Sequence, residues 1–328
     1  MQRQSNSVIR ASVGRISPAE FFRRYNILLV FALIVILSTI VTGGTFIQAG
    51  NLANVAERAS IVGIIAIGQT LVILTGGIDL SIAAIMTVTY VLQAIFSLAG
   101  MSQGVAAISA MAVAVGIGCM NGIIISKTKV APFIVTLCVM MICDSLMLII
   151  TRTRAMRYVE FQKFINGLFN INTETARFLP AAVLLISVVV VALLMSRTKM
   201  GTSITAVGGN LRAAFLSGVK ADKYIILVYA LSGLFAALAA LTLAFRVPGL
   251  NPNSSAPYQM ESIAAVVIGG TSTAGGEGSV IRTLFGAIVI ATMFNLMNLL
   301  MIDPFLQYTV KGAILILVVA NTTVFSKR

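Results

Sequence analysis

The stretch SRTKMGTSITAVGGNLRAAFLSGVKADKY, Ser196 to Tyr224, is the longest charged interruption in a chain built mostly of membrane-length apolar runs. The run before it, Phe178 to Met195, and the run after it, Ile225 to Phe245, each approach the ~20 apolar residues that a helix needs to cross a bilayer. The stretch is therefore a loop between two spans. It carries Arg197, Lys199, Arg212, Lys220 and Lys223 against a single acid, Asp222. Within it Gly208 and Gly209 break the backbone, Asn210 is a good N-cap, and Leu211 to Ser217 predict a helix of about two turns that Gly218 can close. A short capped helix held between two spans suits a handle that a soluble partner grips. The alternative is a solvated connector with an incidental helix.

Composition carries the same reading to the whole chain. The 328 residues are 58% hydrophobic and 10% charged, with a mean hydropathy of +1.00; soluble globular chains are about 25% charged. The apolar runs do not alternate with polar residues in segments of about 10, as barrel strands would. The expected fold is an all-α polytopic membrane protein of about ten transmembrane helices with short re-entrant or broken segments. Spans are placed at Asn26 to Phe46, Ala59 to Thr75, Ile82 to Leu98, Gly104 to Ile125 and Pro132 to Ile150. They continue at Phe178 to Met195, Ile225 to Phe245, a short piece Ile263 to Ile268, Leu284 to Leu300 and Pro304 to Ala320. Arg246 to Met260, rich in Pro and Asn, reads as an outer loop. The chain thus divides into a basic arm (1–25), one membrane domain (26–321) that includes the 196–224 loop, and a tail (322–328).

A net charge of +13 invites nucleic acid, but in a membrane protein basic residues first of all mark cytoplasmic loops. Ten spans put both termini and the 196–224 loop on one side, and 15 of the 23 basic residues fall there. That side is expected to be cytoplasmic. Five of the other eight lie in the segment 151–177, as Arg152, Arg154, Arg157, Lys163 and Arg177. This is either a docking face for an extracytoplasmic partner or a misplaced boundary. Cys119, Cys138 and Cys143 all lie in apolar runs without metal or disulfide spacing, and there is no histidine. No cofactor is expected.

Two punctuated stretches interrupt the apolar pattern. Asp79, in GGIDLS (76–81), is a charge at membrane depth, where such residues face a bundle interior rather than lipid. It reads as a cap for the third span, the alternative being a solute ligand or cation site. The glycine cluster 269–278 lacks the lysine of a phosphate-binding loop, and reads as a tight reversal. Polar residues inside spans, namely Gln69, Thr70, Asn121, Asp144, Asn295 and Asn298, could line a pathway for a neutral polyhydroxylated solute, because amides and hydroxyls donate and accept without fixed charge. Asn295 and Asn298 share a helix face. Interhelical hydrogen bonding is the alternative for each. Gln69, Asp79, Asn121, Asn295 and Asn298 are the pathway residues carried forward.

Three stretches, GGIDLS (76–81), ITAVGGNLRAAFLSGVKADKYIILVYALSGLFAALAA (204–240) and ESIAAVVIGGTSTAGGEGSVIRTLFGA (261–287), resemble the permease subunits of ribose-type ABC sugar importers. The likeness covers most of the chain in order, up to Lys311 and Gly312. It implies a two-lobed permease that pairs with a second copy or a paralogue, binds cytoplasmic ABC ATPase subunits, and receives a monosaccharide from an extracytoplasmic binding protein. The resemblance assigns ATPase coupling to Ala206, Gly208, Gly209, Asn210, Ala213, Ala214, Leu216, Ser217 and Gly218, with Arg212 among them. This chain departs from the family at Tyr258-Gln259-Met260, where an acid comes only at Glu261, and at Arg282, Cys138 and Asp144-Ser145.

The implied mechanism is alternating access driven by ATP hydrolysed on a separate subunit, with no enzymatic chemistry in this chain. Enlarging Gly209 or Ala213 is expected to uncouple hydrolysis from transport. The rival is an ion-coupled secondary transporter using Asp79 or Asp144; it accounts for the acids and leaves the capped loop unused.

Overall fold

The computed structural model describes the backbone of residues 18–325, and side chains from residue 29 to 313 (173 and 174 apart) and at residue 316. Most of the expected basic arm and the last three residues of the tail lie outside the described residues. Helix α1 (Pro18–Val41) is followed by a 3-10 turn at Thr45–Ile47, then by α2 (Ala49–Leu74), α3 (Ile82–Leu98), α4 (Gln103–Thr128) and α5 (Pro132–Thr151). A two-residue strand β1 (Met156–Arg157) leads into α6 (Val159–Phe169), α7 (Thr173–Ala176), α8 (Leu179–Arg197), α9 (Lys199–Gly209), α10 (Leu211–Leu216) and α11 (Ala221–Arg246). Strand β2 (Gly249–Leu250), antiparallel to β1, precedes α12 (Ala256–Ile268), α13 (Val280–Leu299) and α14 (Pro304–Phe325). The protein is an all-α polytopic membrane protein. Six of the described helices are each long and apolar enough to cross a bilayer, and α3 is a shorter apolar one.

Ten helices follow the ten expected spans, and the differences in their bounds have physical causes. The first span stops at Val41 rather than Phe46 because Gly43 and Gly44 take φ of 57° and 87°, which a helix cannot continue through. The second begins ten residues earlier than expected, at Ala49. Its amphipathic first turns stay helical because Glu57 and Arg58 reach Arg246 and Glu261 at 2.8 and 2.7 Å. The eighth is not a six-residue piece: Pro257, in the first turn where its missing N–H costs nothing, opens a 13-residue helix inside the supposed outer loop.

At ~1.5 Å per residue α12 is about 20 Å long, short of a ~30 Å hydrocarbon core. The glycine turn 269–279 that follows is partly covered by protein, with Gly269 and Thr271 buried and Gly270, Ala274 and Glu277 exposed; in 75–81, Gly77, Asp79 and Ser81 are buried and Gly76 is exposed.

The core is centred on α2, whose residues from Ala59 to Leu74 are all buried. A helix apolar on every side belongs inside a bundle, and α2 is packed by α11, α13, α8 and α12. Helix α11 also lies along α4 at a backbone-to-backbone seam. A Cβ at Gly118, Gly122 or Gly233 would come within 2.2, 2.6 or 2.4 Å of Tyr229 O, Ile226 Cα or Ala114 O. Ala114, Gly118 and Gly122 repeat every four residues, the small-residue spacing that lets membrane helices approach closely.

Candidate functional site

The 196–224 loop folds as two helices. The break expected at Gly208-Gly209 is absent: α9 runs through both glycines, because it is the tail of a helix capped by Thr198, whose Oγ1 accepts from Met200 N at 3.2 Å. The chain turns at Asn210 instead. Its Oδ1 accepts from Ala213 N at 2.9 Å, and α10 closes through Gly218 at φ 80°. Ala214 is buried beneath α10, whereas Phe215 and Leu216 are 73% and 77% exposed, and Arg212, Ala213 and Ser217 are also open. Leu211 is exposed as well, and a six-residue helix with three large apolar side chains in the open is a knob without a socket among the described residues.

The two glycines at the end of α9 differ in their surroundings, Gly208 facing inward and Gly209 lying exposed. A Cβ on Gly208 would lie 1.8 Å from Leu74 O and 2.7 Å from Gly276 N, whereas one on Gly209 would meet only Gly276 Cα, at 3.9 Å. Gly276 N donates to Leu74 O at 3.0 Å, and a Cβ on Gly275 would lie 2.8 Å from Gly76 N and 2.9 Å from Gly208 O. The end of α2, the end of α9 and the turn before α13 thus meet backbone to backbone. Gly76, Gly208 and Gly275, one from each of the three motif stretches that lie far apart in sequence, touch here.

Immediately beyond this junction lies a buried polar knot. Asp79 Oδ1 accepts from Ser81 N at 2.9 Å and from Ser81 Oγ at 2.6 Å, and its Oδ2 accepts from Ser232 Oγ on α11 at 2.7 Å. Asn121 on α4 donates to Ser81 Oγ at 2.8 Å, and with its side-chain amide turned Gln69 on α2 pairs with Asp79 N and O at 3.3 and 3.1 Å. The N-cap of α3 is Ser81 rather than Asp79; Asp79 holds Ser81 in place from just before the helix and ties α2, α3, α4 and α11 together. Gln69, Asp79 and Asn121 are brought together with no solvent exposure. None of them lines a cavity found among the described residues.

The other expected pathway residues lie elsewhere. Asn295 and Asn51 exchange two amide hydrogen bonds, at 3.0 and 2.8 Å, and Asn298 accepts from Gln307 at 3.0 Å. Thr70 on α2 shares a 2.9 Å hydroxyl contact with Thr283 on α13. Asp144, half-buried on α5, makes no ion pair among the described residues.

One cluster was missed at the level of sequence. Glu261 Oε1 binds both Arg58 on α2, at 2.7 Å, and Lys311 on α14, at 2.8 Å. Both cations also lie over the Phe294 ring, at 5.2 and 4.3 Å from its centroid. Glu261 Oε2 and Arg58 Nε are buried without partners. The signal was Lys311 itself: a cation inside an apolar run requires an acid, and the chain has only ten acids to choose from. Down the seam of α2, α12, α13 and α14 the pairs Asn298–Gln307 and Asn51–Asn295 and then this triad form a descending polar ladder.

The chain matches, over residues 51–319, the family described as "Branched-chain amino acid transport system / permease component". It is 35% identical to the ribose import permease protein of Bacillus subtilis over 88% of this chain and 89% of that one. It is 34% identical to the ribose import permease protein of Escherichia coli over 92% and 94%. It is 33% identical to the fructose import permease protein of Rhizobium meliloti over 89% and 83%. No solved structure matches it. With a bundle of spanning helices, no cluster of His, Cys, Asp and Glu able to hold a metal among the described residues, and a family match over most of its length, this chain belongs to that family of transport-system permease components.

Proposed function

We propose that this chain is the transmembrane permease subunit of an ATP-driven ABC importer that carries a monosaccharide or a similar small polyhydroxylated solute into the cytoplasm. The family description names amino acids, but the relatives at 33–35% identity are named for ribose and fructose, and their likeness extends over nearly the whole chain. ATP is hydrolysed on a separate cytoplasmic subunit. An extracytoplasmic binding protein delivers the solute, and a second permease copy or a paralogue completes the pathway. Both termini and α10 face the cytoplasm.

The observation that carries this reading is the path from α10 to the core. Phe215 and Leu216 stand out as a knob for the ATPase, with Ala206, Gly208, Gly209, Asn210, Arg212, Ala213, Ala214, Ser217 and Gly218 shaping the coupling segment. A force on α10 passes through α9 into the Gly208–Leu74–Gly276 junction, and from there to the Asp79 knot and four spans at once. Close-packed backbones transmit displacement rather than absorbing it. ATP then acts as any switching ligand does, by binding one state of the assembly more tightly than the other. The geometry supports structural work for Gln69, Asp79 and Asn121 at the hinge. Asn295 and Asn298, on the polar ladder with the Glu261 triad, are the better pathway residues.

Gentle solubilisation followed by identification of co-purifying proteins tests this. A P-loop ATPase recovered with the wild type and lost with Phe215→Asp is the expected result. A lone protein that accumulates solute under an ion gradient would overturn it.

A further inference from the structure

The basic segment between β1 and α8 has no part in the coupling path, and α6 within it is amphipathic. Phe161, Phe164, Ile165, Leu168 and Phe169 form one face of α6, and Glu160, Gln162, Lys163 and Asn166 the other. The apolar face roofs a cavity of about 410 Å³ whose floor includes Ile108 at the start of α4, Val183 at the start of α8, and Leu241 and Phe245 at the end of α11. All of these lie at the same end of the bundle, opposite α10. An amphipathic helix with such a face rests at the boundary between headgroups and hydrocarbon, so the cavity opens where acyl chains begin. A second, polar cavity of about 150 Å³ adjoins it through Pro180 and Phe245, and is lined by Gln162, Asn166, Arg177, Arg246 and Glu57. Arg246 Nε is held by Glu57 at 2.8 Å, and Arg177 lines the same cavity, so its lining carries two guanidinium groups and one carboxylate. Asn166 Oδ1 is buried without a partner; with its amide turned it would offer a donor there.

We propose that these two cavities form one binding site for an anionic phospholipid, with an acyl chain under α6 and the phosphate beside Arg177 and Arg246. The apolar cavity supplies a slot that water would occupy poorly. The polar cavity supplies two guanidinium groups against one carboxylate, with side-chain amides, a lining that matches a phosphodiester. Of the five basic residues in segment 151–177, Arg177 is the one that lines it. It needs only the membrane placement of the chain and is independent of the solute proposed above.

The chain has no tryptophan, so one introduced indole reports alone. Phe169→Trp puts it on the cavity lining with little change of shape, and Leu168→Trp is the second position should the first disturb folding. The full-length protein is reconstituted in phosphatidylcholine vesicles holding a small fraction of acyl-brominated phosphatidylglycerol or, separately, the same fraction of acyl-brominated phosphatidylcholine. Brominated phosphatidylglycerol should quench several-fold more strongly, and Arg177→Gln should weaken its binding about fivefold, the ratio expected for loss of one basic residue near a headgroup. Ile149→Trp on the lipid-facing side of α5 should show no preference between the two lipids. Equal quenching by both lipids, a preference that survives Arg177→Gln, or an indole that neither lipid reaches because protein covers the site would each overturn the proposal.

Discussion

Replacing Gly208 by alanine adds one methyl group at the point where the coupling segment meets the core. Neither Gly208 nor Gly209 has a positive φ, so alanine is conformationally acceptable at both, and as a better helix former it would favour α9 by up to ~1 kcal/mol. Only the surroundings distinguish the two. At Gly208 the new carbon would sit 1.8 Å from Leu74 O, in the gap of the hydrogen bond that Leu74 O accepts from Gly276 N at 3.0 Å. Both obstacles are backbone, so no side chain can swing aside. Overpacking of a tight interior costs ~1–3 kcal/mol, and losing one backbone hydrogen bond costs about 1 kcal/mol more. A net loss of roughly 1–4 kcal/mol is therefore expected locally, relieved by α9 lifting from the end of α2. At Gly209 the nearest atom would be 3.9 Å away, an ordinary contact. The assay compares membrane abundance, solute uptake and ATPase stimulation of the assembled importer for Gly208→Ala and Gly209→Ala. Gly208→Ala should reach the membrane yet transport at least tenfold more slowly per molecule, while Gly209→Ala stays near wild type. Equal behaviour of the two variants, or the reverse order, would refute the junction as the route of coupling.

Three further outcomes follow from other contacts. Phe215→Asp and Leu216→Asp alter exposed side chains, so the melting temperature of the purified permease should stay within a degree or two while ATPase co-purification is lost; equal loss of thermal stability would argue against a docking knob. Glu261→Gln leaves Arg58 and Lys311 without their shared anion and should cost ~3–5 kcal/mol, whereas Lys311→Met leaves the Arg58–Glu261 pair intact and should cost clearly less in the same detergent melting experiment. Asp79→Leu strands the donors Ser81 N, Ser81 Oγ and Ser232 Oγ in the interior, at ~1–3 kcal/mol for each that finds no other partner. Pulse-chase measurement should show rapid turnover of that variant, and a long-lived Asp79→Leu protein would remove Asp79 from the list of structural ties.

How much of this was written in the chain itself can be argued residue by residue. Hydropathy locates the apolar segments in order, since no other structure satisfies backbone polar groups in lipid over so many long apolar runs, but it reads the 13-residue α12 as a six-residue piece. Asn210 and Gly218 mark the ends of α10 before any coordinates are known, because capping is a local interaction between a side chain and the next few amides. Helix starts were less legible where polar residues begin a span. Glu57 and Arg58 look like loop residues until Arg246 and Glu261, some 200 positions away, neutralise them. The same limit explains why Gly208 and Gly209 read as equivalent: a one-dimensional pattern records that glycine is present, not which neighbour requires it. Gln69, Asp79 and Asn121 were visible as polar exceptions, but whether they face an aqueous route or one another depends on how four helices are rotated. Sequence by itself therefore determined the membrane class, the order of the apolar segments and the capped helix α10, all properties of period, length and local hydrogen bonding. Only the tertiary structure decided that three distant glycine-bearing turns form one junction, that an acid on α12 holds cations from α2 and α14, and that α6 covers a lipid-sized cavity, because each of these depends on distances between residues that the chain keeps far apart.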